Sequence, residues 1–289
     1  MAVAIVTDTN SGISLKEGQA LGVSVIPMPV IVSGECFFEE ENFTHADLYA
    51  AMRAKKEVST SMPSPQVICD VWDKLLKEGY DGIVHLPMTS GLSASCEMAK
   101  QFAENYGGKV QVVDNHRISV TLRTAVLDAV NLAAKGKTAE EIKTILEEHA
   151  YDASIYITVN TLEYLKKSGR VTSAAAAIAT ILNIKPVLTI QGGKLDAFKK
   201  VHGIKKSLDV MLQAVAHDIK TRFSRFPKER LLVCASGTVE TQAEVDELVS
   251  LAQKTFPGYN VLYNPLSCSI ACHTGVGSRG FGVSVIEEV

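Results

Sequence analysis

The sequence predicts an α/β protein of two domains. A Rossmann-like parallel-sheet domain covers residues 1–152, and an α+β domain with a mixed or antiparallel sheet covers residues 153–289. Three observations carry this prediction. Apolar strands alternate with helical crossovers through the first half, which is the pattern of a parallel sheet covered on both faces. The second half places consecutive strands around a Gly192-Gly193 turn, which is hairpin chemistry. The chain has 289 residues, 46 % of them hydrophobic, and domains average about 150 residues.

The elements follow in order. Ala2 to Thr7 is a buried strand. Val23 to Val32 is a second extended run, interrupted by Pro27 and Pro29. Gln66 to Glu78 is an amphipathic helix, because Val67, Ile68, Val71, Trp72, Leu75 and Leu76 recur at helical spacing. Asp81-Gly82 turns the chain into a strand from Ile83 to Met88. A helix from Ser93 to Tyr106 ends at Gly107-Gly108. Val110 to Val113 is a strand, and helices follow over Ser119 to Ala134 and Ala139 to His149. The boundary falls near Tyr151 to Ser154, with no low-complexity linker. Beyond it come a strand (Ile155 to Val159), a short helix (Leu162 to Lys166) and an alanine-rich helix (Ser173 to Leu182). The hairpin pairs Lys185 to Gln191 with Lys194 to Val201. A helix, a strand (Leu231 to Ala235), a helix (Val239 to Thr255) and strands Val261 to Asn264 and Gly282 to Glu287 complete the chain.

Composition narrows the function classes. The net charge of −3 gives no general attraction for nucleic acid or an anionic membrane. The opening residues have no basic n-region, and Asp8 interrupts the apolar run. The most apolar later stretch, Ala174 to Ile184, is about half the ~20 residues that span a bilayer. A cytoplasmic protein with free thiols is expected. The six cysteines lack a CxxC pair, and only Cys268, Cys272 and His273 cluster, short of a four-ligand zinc set. No metal and no cofactor are expected.

Four loop segments carry potential chemistry, at strand ends or helix starts where open α/β sheets bind ligands. Thr7 to Ser11 reads equally as a turn with a capping residue. Ser59 to Pro65 offers more hydroxyls than the capping of one helix needs, so Thr60 and Ser61 are candidate donors to a ligand oxygen. Met88 to Ser95 precedes a helix, where amides and hydroxyls favour an anion; Thr89, Ser90 and Ser93 are its candidates. Gly91-Leu92-Ser93 half-matches the nucleophile elbow G-x-S-x-G, but Ser95 occupies the closing glycine's place. Cys272 to Gly280 is a glycine-rich loop in which His273 and the backbone at Gly275 could meet a ligand. Neither a G-x-x-x-x-G-K-[ST] loop nor a G-x-G-x-x-G after the first strand is present.

Together these segments resemble the DegV family of fatty-acid-binding proteins, which includes the acyl-carrying subunits of bacterial fatty-acid kinases. Val6-Thr7-Asp8-Thr9 is similar to its opening TDS-like loop, Thr60 to Pro65 to its TSxPSP, and Ser90 to Ser93 to its SxLSGTY. Leu165 to Val171 and Leu182 to Leu188 are similar to its LxxGGRI and LxIKPIL, and His273 to Gly277 to its HxGPG. The chain departs from the pattern at Ala94, Ser95-Cys96 and Val276, and at His202-Gly203-Ile204, where the family often carries a basic run.

The resemblance implies a long-chain fatty acid between the domains. Thr60 and Ser93 would bond its carboxylate, Arg170 and His273 would lie nearby, and the tail would run into an apolar tunnel past Ala174 to Ala177. It also implies a partner fatty-acid kinase, no catalysis by this chain, and at most transient membrane contact. The rival readings are a serine hydrolase using Ser93 and His273, and a phosphate- or nucleotide-binding module.

Overall fold

A computed structural model describes residues 2–178 and 184–287. The first part contains β1 (Val3–Asp8), α1 (Leu15–Leu21), β2 (Val23–Ile26), β3 (Pro29–Val32), β4 (Glu35–Phe38), α2 (His45–Arg53), β5 (Val58–Thr60), α3 (Pro65–Lys77), β6 (Gly82–Leu86), α4 (Ser95–Ala103), β7 (Val110–Val112), α5 (Val120–Ala134) and α6 (Ala139–Glu148). Strands β2, β1, β6 and β7 form, in that order, a wholly parallel sheet. Both of its faces are buried. Ile5, Val84 and Leu86 join a cluster with Leu122, Val126 and Ile142. The alternate residues Ala4, Val6 and Ile83 join Ile68, Trp72 and Ala99 on the other side. Alternation along a strand sends successive side chains to opposite faces, so each face receives its own helix layer.

The second part contains β8 (Ala153–Thr158), α7 (Glu163–Ser168), α8 (Ser173–Ile178), β9 (Ile184–Ile190), β10 (Asp196–His202), α9 (Ile204–Lys220), β11 (Leu231–Gly237), α10 (Gln242–Thr255), β12 (Asn260–Pro265), α11 (Cys268–Thr274) and β13 (Arg279–Val285). Its six-stranded sheet has the order β10-β9-β8-β13-β11-β12, antiparallel except for the parallel β11–β12 pair. The fold class is therefore the expected one, a parallel sheet and a separate mixed sheet. One face of the mixed sheet packs under α9 and α10 through Tyr156, Val233, Ala235, Phe281 and Val283 against Leu208, Met211, Val215 and Leu248.

Several expectations change. The extended run 23–32 divides at Pro27: β2 enters the parallel sheet, while β3 enters a three-stranded antiparallel sheet ordered β4-β3-β5. Prolines lack the ladder donor, so two prolines in three residues end one strand and allow a second to leave for another sheet. Helices α1 and α2, with β4 and β5, were not expected. The helix expected from Ser93 begins at Ser95. The last strand begins at Arg279 rather than Gly282, so part of the glycine-rich loop is strand. Gly280 and Gly282 pair with Ile157 and Ile155 of β8, and a Cβ at Gly282 would lie 2.5 Å from the Ser154 carbonyl oxygen. These glycines serve close strand approach. Residues 179–183, which include much of the expected alanine-rich helix and the Leu182-Asn183 start of one motif, lie outside the described residues. Among the described residues no helix is long and apolar enough to cross a membrane, and all six cysteines are free thiols.

One core residue sets an acid limit. His85 is 2 % exposed, its Nδ1 has no hydrogen-bond partner among the described residues, and its ring meets Trp72 edge-on. Burial pushes the imidazole down to about 3, whereas the unfolded chain takes up the proton near 6.5. Its contribution is full above about pH 6.5 and is lost as the pH falls towards 3, by roughly 5 kcal/mol at full extent. His85→Leu should flatten this acid limb. Melting temperatures of both proteins between neutral pH and pH 4 provide the check, and identical slopes would clear His85 of the effect.

Candidate functional site

The cavity-facing side of the mixed sheet follows from strand alternation. Tyr156, Val233, Ala235 and Phe281 turn towards α9 and α10. Their neighbours Ile155 and Ile157 of β8, Cys234 and Ser236 of β11, and Gly280 and Gly282 of β13 line a cavity on the opposite side. Two glycines and two small side chains leave this part of the sheet uncovered. Met28, Met88, Ile118 and Val120 from the first part, and Leu165, Ile190 and Leu195 from the second, complete a mostly apolar wall. The space between the walls is about 990 Å³, counting the open mouth. Both parts of the chain build it. The alanine run does not: Ala175 is fully buried against Val171 and Leu195, and Ala174 and Ala177 are exposed. Ala174 to Ala177, past which a tail was expected to run, are thus not part of the cavity wall.

Five of the expected residues line this cavity: Thr60, Ser61, Ser93, Arg170 and His273. Thr60 ends β5, and its Oγ1 lies 2.8 Å from His273 Nε2. Ser61 and the 43 % exposed Met62 mark the mouth. His273 rides on α11, whose two faces part by helical spacing. Cys268 and Cys272 pack into the cluster of Val30, Leu48, Tyr49 and Val58, while Ser269, Ile270 and His273 face the cavity. The start of α11 is held from three sides. Ser267 caps the Ile270 amide and donates to Asn10 Oδ1, and Glu39 accepts from the Cys268 amide at 2.9 Å. Burial, with the Arg170 charge beside it, pushes the His273 imidazole down to about 4. The ring is therefore neutral at pH 7. If Nε2 carries the proton and donates to Thr60, the threonine hydroxyl is free to donate to a ligand oxygen. Arg170 donates to the Ser168 carbonyl at 2.7 Å, and among the described residues it forms no ion pair.

Ser93 sits just before α4 and accepts from the Ser95 amide at 3.2 Å. Its loop is pinned elsewhere by Thr89, which is fully buried: Thr89 Oγ1 donates to the Gly192 carbonyl at 2.7 Å and accepts from the Gly91 amide. Thr89 and Ser90 therefore shape the loop and do not line the cavity. The Ser90 amide donates to Asp114. Gly275 also lies off the wall, its carbonyl taken by Thr238 and Ser278. In the first segment only Asn10 reaches the cavity. Asp8 accepts from the Asn10 and Met88 amides, the capping role, and burial pushes its carboxyl up to about 6.

The pinning suggests a sensitive point. A Cβ at Gly91 would lie 2.3 Å from the Gly192 carbonyl oxygen and 2.6 Å from Gly193 Cα. Both are backbone atoms, so the loop carrying Ser93 must move away from the β9–β10 turn. Gly91→Ala should lower the affinity for a cavity ligand by at least the roughly tenfold loss of one hydrogen bond, and also the melting temperature. A titration showing wild-type affinity would place Ser93 outside the site or show that the turn yields freely.

A serine hydrolase needs a histidine held by a carboxylate. Here His273 Nε2 is engaged by Thr60, Ser93 is bonded within its own loop, and among the described residues no carboxylate bonds His273. A phosphate- or nucleotide-binding module would present a polar pocket, whereas most of this wall is apolar. Sheet order and cavity together define an α/β protein with a mostly apolar cavity bordered by hydroxyls, a histidine and an arginine. Residues 2–288 match the family model described as "uncharacterised protein, DegV family", and the chain belongs to the DegV family. It is 35 % identical to a DegV domain-containing protein of Deinococcus radiodurans over 72 % of this chain and 74 % of that one. It is 29 % identical to one from Streptomyces coelicolor over 98 % of both. Among solved structures it resembles that of a fatty-acid-binding DegV family protein from Thermus thermophilus, with 30 % identity, a TM-score of 0.86, and 99 % and 100 % of the two chains covered. A fatty-acid-binding DegV family protein from Streptococcus agalactiae gives 25 % identity and a TM-score of 0.87, with 100 % of each chain covered.

Apart from the five residues at or near the mouth, the sequence reading missed the wall. Ile155, Ile157 and Ile190 read as ordinary strand residues. The period-2 alternation in β8, β11 and β13 was the available signal, but only the sheet order shows that these faces adjoin.

Proposed function

We propose that this chain binds one long-chain fatty acid and presents it to a partner fatty-acid kinase. The supporting observation is the apolar cavity on which Thr60, Ser61, Ser93, Arg170 and His273 converge from separate elements, together with the fatty-acid-binding relatives. The hydroxyls of Thr60 and Ser93 hold the carboxylate, which cannot enter an apolar site unpaired. The tail lies against Ile155, Ile157, Ile190 and the bare glycines of β13. At about 0.8 kcal/mol per methylene, burying a sixteen-carbon chain contributes roughly 11 kcal/mol before association costs. Few polar contacts are then needed for tight binding.

In this reading residues 1–152 and 153–289 are two domains, and the lipid sits between them. The chain is a cytoplasmic, cofactor-free carrier that touches membranes only in passing. A carboxylate oxygen attacks the terminal phosphorus of ATP held on the kinase, the phosphorus–oxygen bond to ADP breaks, and acyl-phosphate forms. Arg170, which forms no ion pair among the described residues, steadies the charge on the transferred group in this reading. Organic extraction and mass spectrometry of purified protein should find about one fatty acid per chain. No lipid in the extract, with no uptake of added fatty acid, would refute the proposal.

A further inference from the structure

Deeper in the cavity the wall carries polar side chains that a plain hydrocarbon tail cannot use. Ser269 is 4 % exposed and lines the cavity from α11, one turn before His273. Among the described residues its hydroxyl has no hydrogen-bond partner. Asn10 and Ser119 are equally buried in the same wall. Asn10 Nδ2 donates to the Met88 sulfur, a weak acceptor, at 3.1 Å. Ser119 stands at the start of α5, caps no amide there, and touches only Ser236 Oγ at 3.5 Å. These groups adjoin one another: the Ser119 amide donates to the Asn10 carbonyl, and Ser267, two residues before Ser269, donates to the Asn10 side chain.

A buried hydroxyl without a partner, beside an amide on a weak acceptor and a hydroxyl in a long contact, is unfavourable, and a site that holds it discriminates for a ligand that supplies the missing bond. Resting on the carrier reading, we infer that the preferred cargo is a long-chain fatty acid bearing a neutral oxygen, a hydroxyl or keto group, within its buried chain, bonded by Ser269 with Asn10 and Ser119. A neutral oxygen fits better than a second carboxylate, because among the described residues Arg170 is the only arginine or lysine lining the cavity, and it lies beside His273. Four residues of α helix span about 6 Å, so the oxygen belongs in the half of the chain nearer the carboxylate.

The test compares octadecanoic acid with a series of hydroxyoctadecanoic acids whose hydroxyl is moved along that half, titrated into delipidated wild type, Ser269→Val and Ser269→Ala. At least one isomer should bind the wild type roughly tenfold more tightly than octadecanoic acid, and both variants should lose this preference while retaining octadecanoic acid. Octadecanoic acid binding best, or a preference unchanged by either variant as if water satisfied Ser269, would overturn the inference and leave the carrier reading intact. Failure of every acid to bind would remove both.

Discussion

Arg170→Ala should slow acyl-phosphate formation by the partner kinase by roughly 10²–10³-fold while leaving fatty-acid affinity near that of the wild type, because removing one donor aimed at transition-state charge costs that much. The guanidinium lines the cavity beside His273, and its hydrogen bond runs to the Ser168 carbonyl of its own turn. Among the described residues it pairs with no carboxylate, so under the proposed function its charge is available to the transferred phosphoryl group. The hydroxyls, not the arginine, hold the ground-state carboxylate in this reading. Affinity by titration and kinase-dependent acyl-phosphate formation must be measured on the same preparations. Equal losses in both would make Arg170 a binding or structural residue, and ATP turnover by the isolated chain would end the carrier reading.

Thr60→Val and Ser93→Ala should each weaken fatty-acid binding by roughly ten- to a hundredfold, since a hydrogen bond to a charged group is worth about 1.5–3 kcal/mol. Neither side chain is a core residue, so the melting temperature of the lipid-free protein should move little. The two differ in one respect. Thr60→Val also removes the partner of His273 Nε2, leaving that ring nitrogen for water or the ligand. If both hydroxyls bond one carboxylate, the double variant should depart from additivity by a measurable coupling energy. Losses that simply add would place the two hydroxyls on different ligand atoms, and unchanged affinity in either single variant would remove that residue from the carboxylate site.

How far the site was legible depended on the kind of signal each residue gives. Thr60, Ser93 and His273 stood out because hydroxyls beyond capping needs, or a histidine among glycines, are unusual in local sequence. Thr89, Ser90 and Gly275 looked the same by that criterion, yet their polar groups are spent on Gly192, Asp114, Thr238 and Ser278. A hydroxyl that binds a ligand and one that pins a loop are chemically identical; only the distant partner tells them apart. Helix α2 could have been found, because Thr44 and Asp47 form a complete capping box. The short α11 could not, since its seven residues are shaped by packing against β3, β5 and α2 more than by their own pattern.

By itself the sequence determined the parallel and mixed sheets, most helices and the segments that carry Thr60, Ser61, Ser93 and His273, because periodicity, turn chemistry and capping are properties of neighbours along the chain; Arg170 came only from the family resemblance. The tertiary structure alone decided that β2 and β3 part into different sheets and that Gly280 and Gly282 are strand residues. It also decided that Ile155, Cys234 and Gly282 share one open face, and that among the described residues Ser269 has no hydrogen-bond partner beside it. Each of those facts depends on which strands become neighbours. That choice is made by burying several faces at once, and no local pattern records it.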